Sequence, residues 1–467
     1  MSEPHQSLSH TGRTDRWLWA IWIGVIIGFA VVPVSVHLRY GAASDRNKDY
    51  DTWYTVGQQV LAGEEIYPLA ESPRFNFMYP PVSACLIAPL TIAGKLPFIL
   101  ILEAANAVCW IFCVYAGVYL ATGKAWGRPV IVYLVPTLAT TAYVYDTFQL
   151  GQPNLMLLAL LLAAFICLRA GRQFGAGTLI ALATAVKAFP VMLAVYLLWR
   201  RQYRALTGFL VAMAFLLICL PAPFRGFQRN VAELGTWTNA MVLSYDRGMI
   251  AQRPGQSYRW KNASLIATAN RLLRPIPADR KLTVHPRPYI PGHPNAGYRL
   301  IYVNVANLDF RVVNFVILGA ALAICLGFVA VMPAAKFRTQ RTDAIEYAML
   351  LVMMIVFSPI SWFYYGVWLM YPLTVMMWSL RDGTHSRNQM RFALGGLFAC
   401  LGLLNFVPPW DWYRPVRAIG TPFFGYMLML SLLGWLLYLE RRNSNAAADP
   451  LATNDETAPP AILPHAA

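Results

Sequence analysis

Residues Trp17–Leu38 read WLWAIWIGVIIGFAVVPVSVHL, a run of 22 residues without Asp, Glu, Lys or Arg. As an α-helix this run is about 33 Å long, enough to cross a hydrocarbon core of about 30 Å. It is too long for the core of a signal peptide, and no convincing small-residue cleavage site follows it. The stretch therefore predicts a membrane-spanning helix.

Similar apolar runs recur along the chain. Of the 467 residues, 57% are hydrophobic and only 13% are charged, and the mean hydropathy is +0.46. This excludes a water-soluble single domain, and the runs are too long for a transmembrane barrel. We predict an all-α polytopic membrane protein with about 12 transmembrane helices. They are expected near residues 17–38, 81–94, 97–121, 128–145, 152–169, 175–198, 205–222, 311–333, 345–358, 363–380, 392–409 and 421–439.

The net charge of +16 comes from Lys and Arg residues in loops beside the apolar runs. There they indicate topology, and we expect membrane lipids and no nucleic acid as partners. The positive-inside rule places four basic stretches in the cytoplasm, together with mobile tails at 1–16 and 441–467. Those stretches are 199–204 (WRRQYR), 336–341 (KFRTQR), 381–391 and 440–442.

Two long polar loops, 39–80 and 223–310, are expected on the outer side. They divide the chain into a transmembrane module at 17–222, the large loop, and a second module at 311–440. Arg169 and Arg172 conflict with this topology. The positive-inside rule expects them in the cytoplasm, but a single span over 175–198 places them outside. A hairpin of two half-helices broken at Pro190 is the alternative, and the single span is the preferred interpretation. All seven cysteines lie in apolar segments, which predicts no disulfide and no Cys metal site.

Asp49 and Asp51 are the first candidate catalytic residues. They begin the stretch KDYDTWYTVGQQVLAGEEIYP at Lys48–Pro68, in which 53–61 is amphipathic and suited to an interface. A partly desolvated carboxylate beside a sugar hydroxyl can act as a general base. Helix N-capping by the same residues is an equally good interpretation.

Lys187 lies in ATAVKAFPVML, inside an apolar segment. An ammonium at membrane depth costs about 2.5–3.5 kcal/mol and needs a partner, for which a phosphate is suitable. Snorkelling to an interface is the alternative. Lys187 is therefore the first candidate for binding a lipid phosphate.

Candidate sugar or acceptor contacts lie in three short motifs. FMYPP contains Tyr79, and GQPN contains Gln152 and Asn154, whose amides suit sugar hydroxyls or a helix cap. SPISWFYY has a Pro-broken helix with Trp362, Tyr364 and Tyr365. These aromatic residues suit a cavity or an interfacial belt equally.

The large loop carries basic residues among aromatic ones in RPGQSYRWKNASLIATANRLLR, residues 253–274. Charge-assisted bonds and stacking suit an anionic headgroup and a sugar ring, whereas nonspecific attraction to anionic lipids is the alternative. The candidates are Arg259, Lys261 and Arg271 for the phosphate, and Asn262 and Ser264 for sugar or acceptor.

The chain has no P-loop, Rossmann glycine pattern, HExxH or Cys/His cluster. Soluble nucleotide-driven chemistry is therefore disfavoured, and we expect no cofactor and no dedicated divalent-metal site. The energy source is expected to be an activated lipid or a gradient.

In order, the motifs DYDTWYTVGQQVLAGEEIY, FMYPP, GQPN, KAFP with RRQYRAL, KNASLIATANRLL and SPISW resemble glycosyltransferase family 87. Its members include mycobacterial polyprenyl-phosphate-mannose-dependent mannosyltransferases, and the resemblance covers roughly residues 15–440. It implies a GT-C fold and inverting transfer, with mannose the first candidate sugar, from a polyprenyl-phosphate donor to a glycolipid or glycan acceptor. The site would face the periplasm or exterior of a bacterial cytoplasmic membrane.

The resemblance also implies that the general base of these enzymes corresponds to Asp49 in this chain, with Asp51 as the second candidate. Some mannosyltransferases of the family have a His pair after SPxSW, where this chain has Tyr364 and Tyr365. This difference argues against taking the sugar identity or the acceptor contacts from those particular members. A secondary transporter is the rival hypothesis, because many spans with a buried Lys187 also suit translocation. A lipid-binding scaffold without chemistry is a third.

Overall fold

The computed structural model describes residues 11–40, 48–67, 77–253, 256–282, 298–382, 384–406 and 408–447. The α-helices in these residues are α1 (Thr11–Tyr40), α2 (Lys48–Leu61), α3 (Pro81–Thr91), α4 (Lys95–Thr122), α5 (Ile131–Leu150), α6 (Asn154–Arg169), α7 (Gln173–Val186), α8 (Met192–Trp199), α9 (Tyr203–Ala214), α10 (Ala222–Arg225), α11 (Phe227–Trp237), α12 (Leu265–Leu273), α13 (Phe310–Val331), α14 (Gln340–Phe357), α15 (Met370–Arg381), α16 (Arg387–Asn405), α17 (Trp410–Ile419) and α18 (Thr421–Ala447). Short 3-10 or π-helical turns are Phe189–Val191, Phe215–Cys219, Thr238–Leu243, Ala335–Phe337 and Phe363–Leu369. Strands β1 (Asp279–Leu282) and β2 (Tyr298–Ile301) pair antiparallel, with Asp279 opposite Ile301.

The mostly helical fold is confirmed, and a helix lies at each of the twelve predicted positions. The amphipathic stretch in the first loop is α2, and the large loop contains α11, α12 and the β1–β2 pair. Residues 11–16 and 441–447, predicted as parts of mobile tails, are helical. The rest of both predicted tails, 1–10 and 448–467, lies outside the described residues.

Among the described residues, four helices are long and apolar enough to cross a membrane: 95–122, 203–225, 310–331 and 421–443. The pair α5 and α6, bent by 119° between them, is a fifth candidate. The chain is therefore a membrane protein by the length and composition of its helices. The count of about 12 spans stays a prediction.

The predicted span at 81–94 is wrong as a span, because α3 is only 11 residues long. A helix of that length rises about 16 Å, roughly half of a hydrocarbon core. Both ends stay near α2, since Gln58 donates to the Thr91 carbonyl at 3.1 Å and the Trp53 and Tyr79 rings lie 4.2 Å apart. Helix α3 lies along α2.

The preferred single span over 175–198 is also wrong, because this segment is a hairpin. Arg169 donates to the Gln340 carbonyl at 3.1 Å and Arg200 to the Glu346 carboxylate at 3.1 Å, both in the first half of α14. Lys187 shares a cavity wall with Phe357, the last residue of α14. The chain thus leaves one end of α14, turns at Lys187 and returns to the same end.

The hairpin breaks where the backbone of Lys187 becomes extended, at φ −137° and ψ 123°, three residues before Pro190. Pro190 has no N–H to donate to the carbonyl four residues earlier, that of Val186, and its ring clashes with that carbonyl, so the helix ends at Val186. Two glycines then let α9 approach α7. A Cβ on Gly177 would lie 1.9 Å from the Ala205 carbonyl oxygen, and one on Gly208 would lie 2.3 Å from that of Phe174.

Basic residues gather at the end of the molecule where α14 begins, which we call the basic end. Arg169, Arg200 and Arg341 lie there. The end of α14 at Phe357 is the opposite end, where α2, the Lys187 turn and the large loop meet. Placing Arg169 and Arg200 at one end removes the conflict that the single span created.

Candidate active site

Asp49 lies in the first turn of α2, where the positive end of the helix dipole favours a carboxylate. Gln152, which follows the end of α5, donates from Nε2 to Asp49 Oδ2. The carboxylate is thus bound to a side chain about 100 residues away in sequence. It is half-buried and faces a cavity.

The amide of Gln152 also connects Asp49 to Lys187. Lys187 is buried, and its Nζ donates to Gln152 Oε1 at 3.0 Å and to Asn154 Oδ1 at 2.8 Å. The side-chain amides of Gln152 and Asn154, both from the GQPN motif, are buried. Asn154 lines neither of the two cavities described below. These amides therefore hold the ammonium and the carboxylate in place.

Three tyrosine rings surround the Lys187 ammonium. Its Nζ lies 5.5 Å from the ring centroid of Tyr79, 5.2 Å from that of Tyr364 and 4.8 Å from that of Tyr365, which suits cation–π contacts. Burial raises the pKa of the Tyr79 hydroxyl well above its usual value, and the charge of Asp49 raises it further. The protonated hydroxyl donates to Gln152 Oε1 at 3.1 Å.

A polar cavity of about 480 Å³ opens beside Asp49. Its wall combines carboxylates, cations and aromatic rings, a combination suited to a sugar and charged groups. Its lining includes Asp49, Trp53, Tyr79, Asp146, Gln152, Arg253, Trp260, Lys261, Trp362, Tyr364, Tyr413 and Arg417.

An apolar cavity of about 390 Å³ adjoins the polar one. Lys187 lies in its wall, among aliphatic and aromatic residues from the hairpin turn and the large loop. The two cavities share the residues Met78, Tyr79, Trp362 and Tyr364. A ligand with an apolar chain and a polar head could therefore occupy both at once.

Asp51, the second candidate base, lies apart from both cavities. It pairs with Lys95 at 2.8 Å, and its side chain is 44% exposed. Asp49 and Asp51 therefore occupy different surroundings although they are two residues apart. Neither Asp49 nor Asp51 is the N-cap residue of α2, because both lie inside its first turn.

The structure does not bring Arg271 to either cavity. Its side chain is fully buried, and its guanidinium donates to the carbonyls of Ala418 at 2.8 Å, Arg259 at 3.0 Å and Asn262 at 2.7 Å. These bonds occupy the guanidinium, and Arg271 organises the large loop. Arg259 likewise lines neither cavity.

Asn262 and Ser264 are also structural. Asn262 donates to the Pro359 carbonyl at 3.1 Å and accepts from the Ser361 amide at 2.8 Å, while Ser264 caps α12. They fasten the large loop to the SPISW segment. Asn262 is fully buried.

Sequence reasoning missed Asp146, Tyr413 and Arg417 as site residues, and it did not choose Arg253 from the basic stretch 253–274. Asp146 follows the apolar run predicted at 128–145, and a lone carboxylate at such a position was the available signal. Tyr413 and Arg417 lie on α17, which is short and amphipathic and gave no span signal. In the described part of the chain, His, Cys, Asp and Glu form no cluster of three or more suited to a metal ion.

The model of glycosyltransferase family 87 matches residues 77–359, more than half of the chain. A search of curated proteins found no match. The matched range contains Tyr79, Gln152 and Lys187, whereas Asp49 precedes it and Trp362 follows it. From this match we conclude that the chain belongs to glycosyltransferase family 87 and is a membrane glycosyltransferase.

Proposed function

We propose that this enzyme transfers a sugar, with inversion, from a polyprenyl-phosphate donor to a hydroxyl of a lipid or glycan acceptor. One observation carries the proposal. The polar cavity beside Asp49 adjoins an apolar cavity with Lys187 in its wall, and Met78, Tyr79, Trp362 and Tyr364 belong to both. A lipid phosphate sugar has the same order of parts, an apolar chain, an anion and a polar ring.

Asp49 is the proposed general base. Its carboxylate takes the proton of the acceptor hydroxyl while the oxygen attacks the anomeric carbon, and the bond from that carbon to the phosphate oxygen breaks. The hydrogen bond from Gln152 fixes the carboxylate. The leaving lipid phosphate is a weak base that needs no proton and is stabilised by nearby cations as its charge grows.

Lys187, Arg253 and Lys261 are the proposed cations for the phosphate. Lys187 lies in the wall of the apolar cavity, whereas Arg253 and Lys261 line the polar one. Arg253 also lies close to the boundary, since Ala251, two residues earlier, lines the apolar cavity. Arg271 and Arg259 are not included, because neither lines a cavity.

Tyr79, Trp362 and Tyr364 are the proposed contacts for the transferred sugar. They form the boundary between the cavities, where the ring attached to the phosphate would lie. Aromatic faces suit the apolar faces of a pyranose ring. Tyr365 and Asn154 contact Lys187, and their proposed role is to position its ammonium. Mannose is the first sugar to test.

The outer face of a bacterial cytoplasmic membrane is the proposed location of transfer. The basic end, with Arg169, Arg200 and Arg341, lies opposite Asp49 along α14. The positive-inside rule assigns such an end to the cytoplasm. The site would then open toward the periplasm or the exterior.

Transfer can be measured with purified protein, radiolabelled polyprenyl-phosphate mannose and a bacterial lipid extract. We expect protein-dependent label in a glycolipid, one polyprenyl phosphate released for each sugar moved, and an inverted anomeric configuration in the product. Transfer directly from a nucleotide sugar, with none from the lipid donor, would contradict the proposal.

A further inference from the structure

Arg417 is a buried cation that the proposed donor contacts do not use. It lies on α17, its side chain is 5% exposed, and it lines the polar cavity. In the described part of the chain its Nε atom is buried and has no hydrogen-bond acceptor. No described carboxylate forms an ion pair with it either.

Aromatic rings hold the Arg417 guanidinium without neutralising it. The guanidinium carbon lies 4.9 Å from the ring centroid of Phe363 and 5.5 Å from that of Tyr413. Tyr413 and Arg417 are one helical turn apart, so they share a face of α17. Cation–π contacts orient a guanidinium and leave its N–H groups able to bind an anion.

Cations outnumber carboxylates in the described wall of this cavity. Arg253, Lys261 and Arg417 carry positive charge there, against Asp49 and Asp146. Lys261 lies 5.4 Å above the ring of Trp260, whose ring in turn meets that of Tyr413 at 5.5 Å. A continuous aromatic surface therefore joins Lys261 to Arg417.

Arg417 lines only the polar cavity, whereas Lys187, the first proposed cation for the donor phosphate, lines only the apolar one. The apolar cavity that would take the lipid chain includes Lys187 but not Arg417. The boundary residues Tyr79 and Tyr364 face Lys187, whereas Arg417 packs on Phe363. With a donor in both cavities, the charge of Arg417 would still lack a partner among the described residues.

We propose, on the basis of the proposed function, that the polar cavity binds an acceptor that is itself anionic. A phosphate or carboxylate group of the acceptor lies on the guanidinium of Arg417. Its apolar face rests on Trp260 and Tyr413. The guanidinium supplies paired donors of the geometry that such oxyanions accept.

Binding is tested on the full-length protein in phosphatidylcholine nanodiscs with glucose 6-phosphate, glucose and inorganic phosphate. We expect glucose 6-phosphate to bind at least tenfold more tightly than glucose, and inorganic phosphate to displace it. Arg417→Gln should weaken glucose 6-phosphate binding at least tenfold, and Arg417→Lys should retain part of it. Equal binding of glucose and its phosphate, or unchanged binding by Arg417→Gln, would overturn the proposal.

Arg414→Gln is the matched control, because Arg414 lies on the same helix and already pairs with Asp279 at 3.0 Å. It removes the same charge without lining the cavity, so glucose 6-phosphate affinity should not change. Farnesyl phosphate tests the other source of phosphate. Arg417→Gln should bind it as the wild type does, and a parallel loss would assign Arg417 to the donor and overturn the proposal.

Transfer separates this proposal from the proposed function. Acceptor lipids are divided into neutral and anionic fractions by anion exchange, and we expect label in the anionic fraction and a tenfold lower kcat/KM in Arg417→Gln. Label only in neutral lipids would overturn the anionic acceptor and leave glycosyl transfer standing. No transfer to either fraction, with glucose 6-phosphate binding intact, would contradict the proposed function and leave the anion site.

Discussion

The ring of Tyr50 packs against the α-carbon of Gly151, so closely that a Cβ on that glycine would lie 2.7 Å from the ring. The Tyr50 hydroxyl donates to the Phe148 carbonyl at 2.8 Å, which fixes the ring over the end of α5. Asp49 and Gln152 are the chain neighbours of these two residues. The contact therefore brings the carboxylate and the amide together, and the site depends on a glycine that lines neither cavity.

Gly151→Ala tests this dependence. The residue has φ +73°, and a left-handed conformation costs a residue with a side chain about 1–2 kcal/mol. The clash with Tyr50 adds about 1–3 kcal/mol of overpacking. We expect a lower unfolding temperature and a strong loss of transfer. Gly63→Ala is the control, since Gly63 has φ +69° with nothing within 4 Å. Equal losses in both variants would rule out the packing role of Tyr50.

Lys261→Gln should affect substrate binding, whereas Arg271→Gln should affect stability. Arg271 satisfies buried carbonyls, each of which costs about 1–3 kcal/mol when it loses its donor. Its replacement should lower the free energy of unfolding. Lys261 is exposed and lines the polar cavity, so its replacement should weaken substrate binding without changing stability. Thermal unfolding and substrate titration separate the two. A stable Arg271→Gln with weakened donor affinity would return Arg271 to the phosphate site.

The hairpin at Lys187 predicts that Arg172 and Arg201 lie on the same side of the membrane. Both are exposed near the basic end, where α7 begins and α8 has just ended. Arg172→Cys and Arg201→Cys, each in a variant without the seven native cysteines, should react with an impermeant maleimide from one side. Labelling of the two positions from opposite sides would restore the single span over 175–198.

Asn262→Asp should loosen the large loop. The amide donates to the Ser257 carbonyl at 2.9 Å and to the Pro359 carbonyl at 3.1 Å, and a carboxylate at this position would repel both. Each buried carbonyl left without a donor costs about 1–3 kcal/mol. We expect a lower unfolding temperature and faster proteolysis in the large loop. Asn304→Asp, at a half-buried position that water can reach, should be much milder. A wild-type proteolysis rate for Asn262→Asp would show that this amide does not fasten the loop.

Apolar runs predicted where helices form, because membrane helices must satisfy their backbone internally whatever their tertiary contacts. These runs did not predict whether a segment crosses the membrane or turns back on itself. The run over 175–198 has the length of one span, and its reversal depends on the extended backbone at Lys187 and on the close approach of Gly177 to Ala205. Likewise α3 is apolar, but it packs along α2.

Residues of the candidate site were predictable where polar groups interrupt apolar sequence. Gln152 and Lys187 were found in this way, although their bonds to each other and to Asp49 are tertiary. Arg271 was misassigned because a basic residue among aromatic ones has the same sequence pattern at a lipid site and in a loop core. Arg417 was missed because α17 belongs to no span, and only the folded chain brings it to the cavity.

Asp49→Asn and Asp51→Asn give the most direct test of the central claim, that the carboxylate beside Gln152 is the general base. Both remove one charge from the same helical turn, but only Asp49 lines the cavity, and the partly exposed pair of Asp51 with Lys95 is worth about 1 kcal/mol or less. In single-turnover transfer from polyprenyl-phosphate mannose, Asp49→Asn should be slower by about 10²–10⁴-fold with donor affinity nearly unchanged. Asp51→Asn should transfer at nearly the wild-type rate. Full activity in Asp49→Asn would contradict the mechanism.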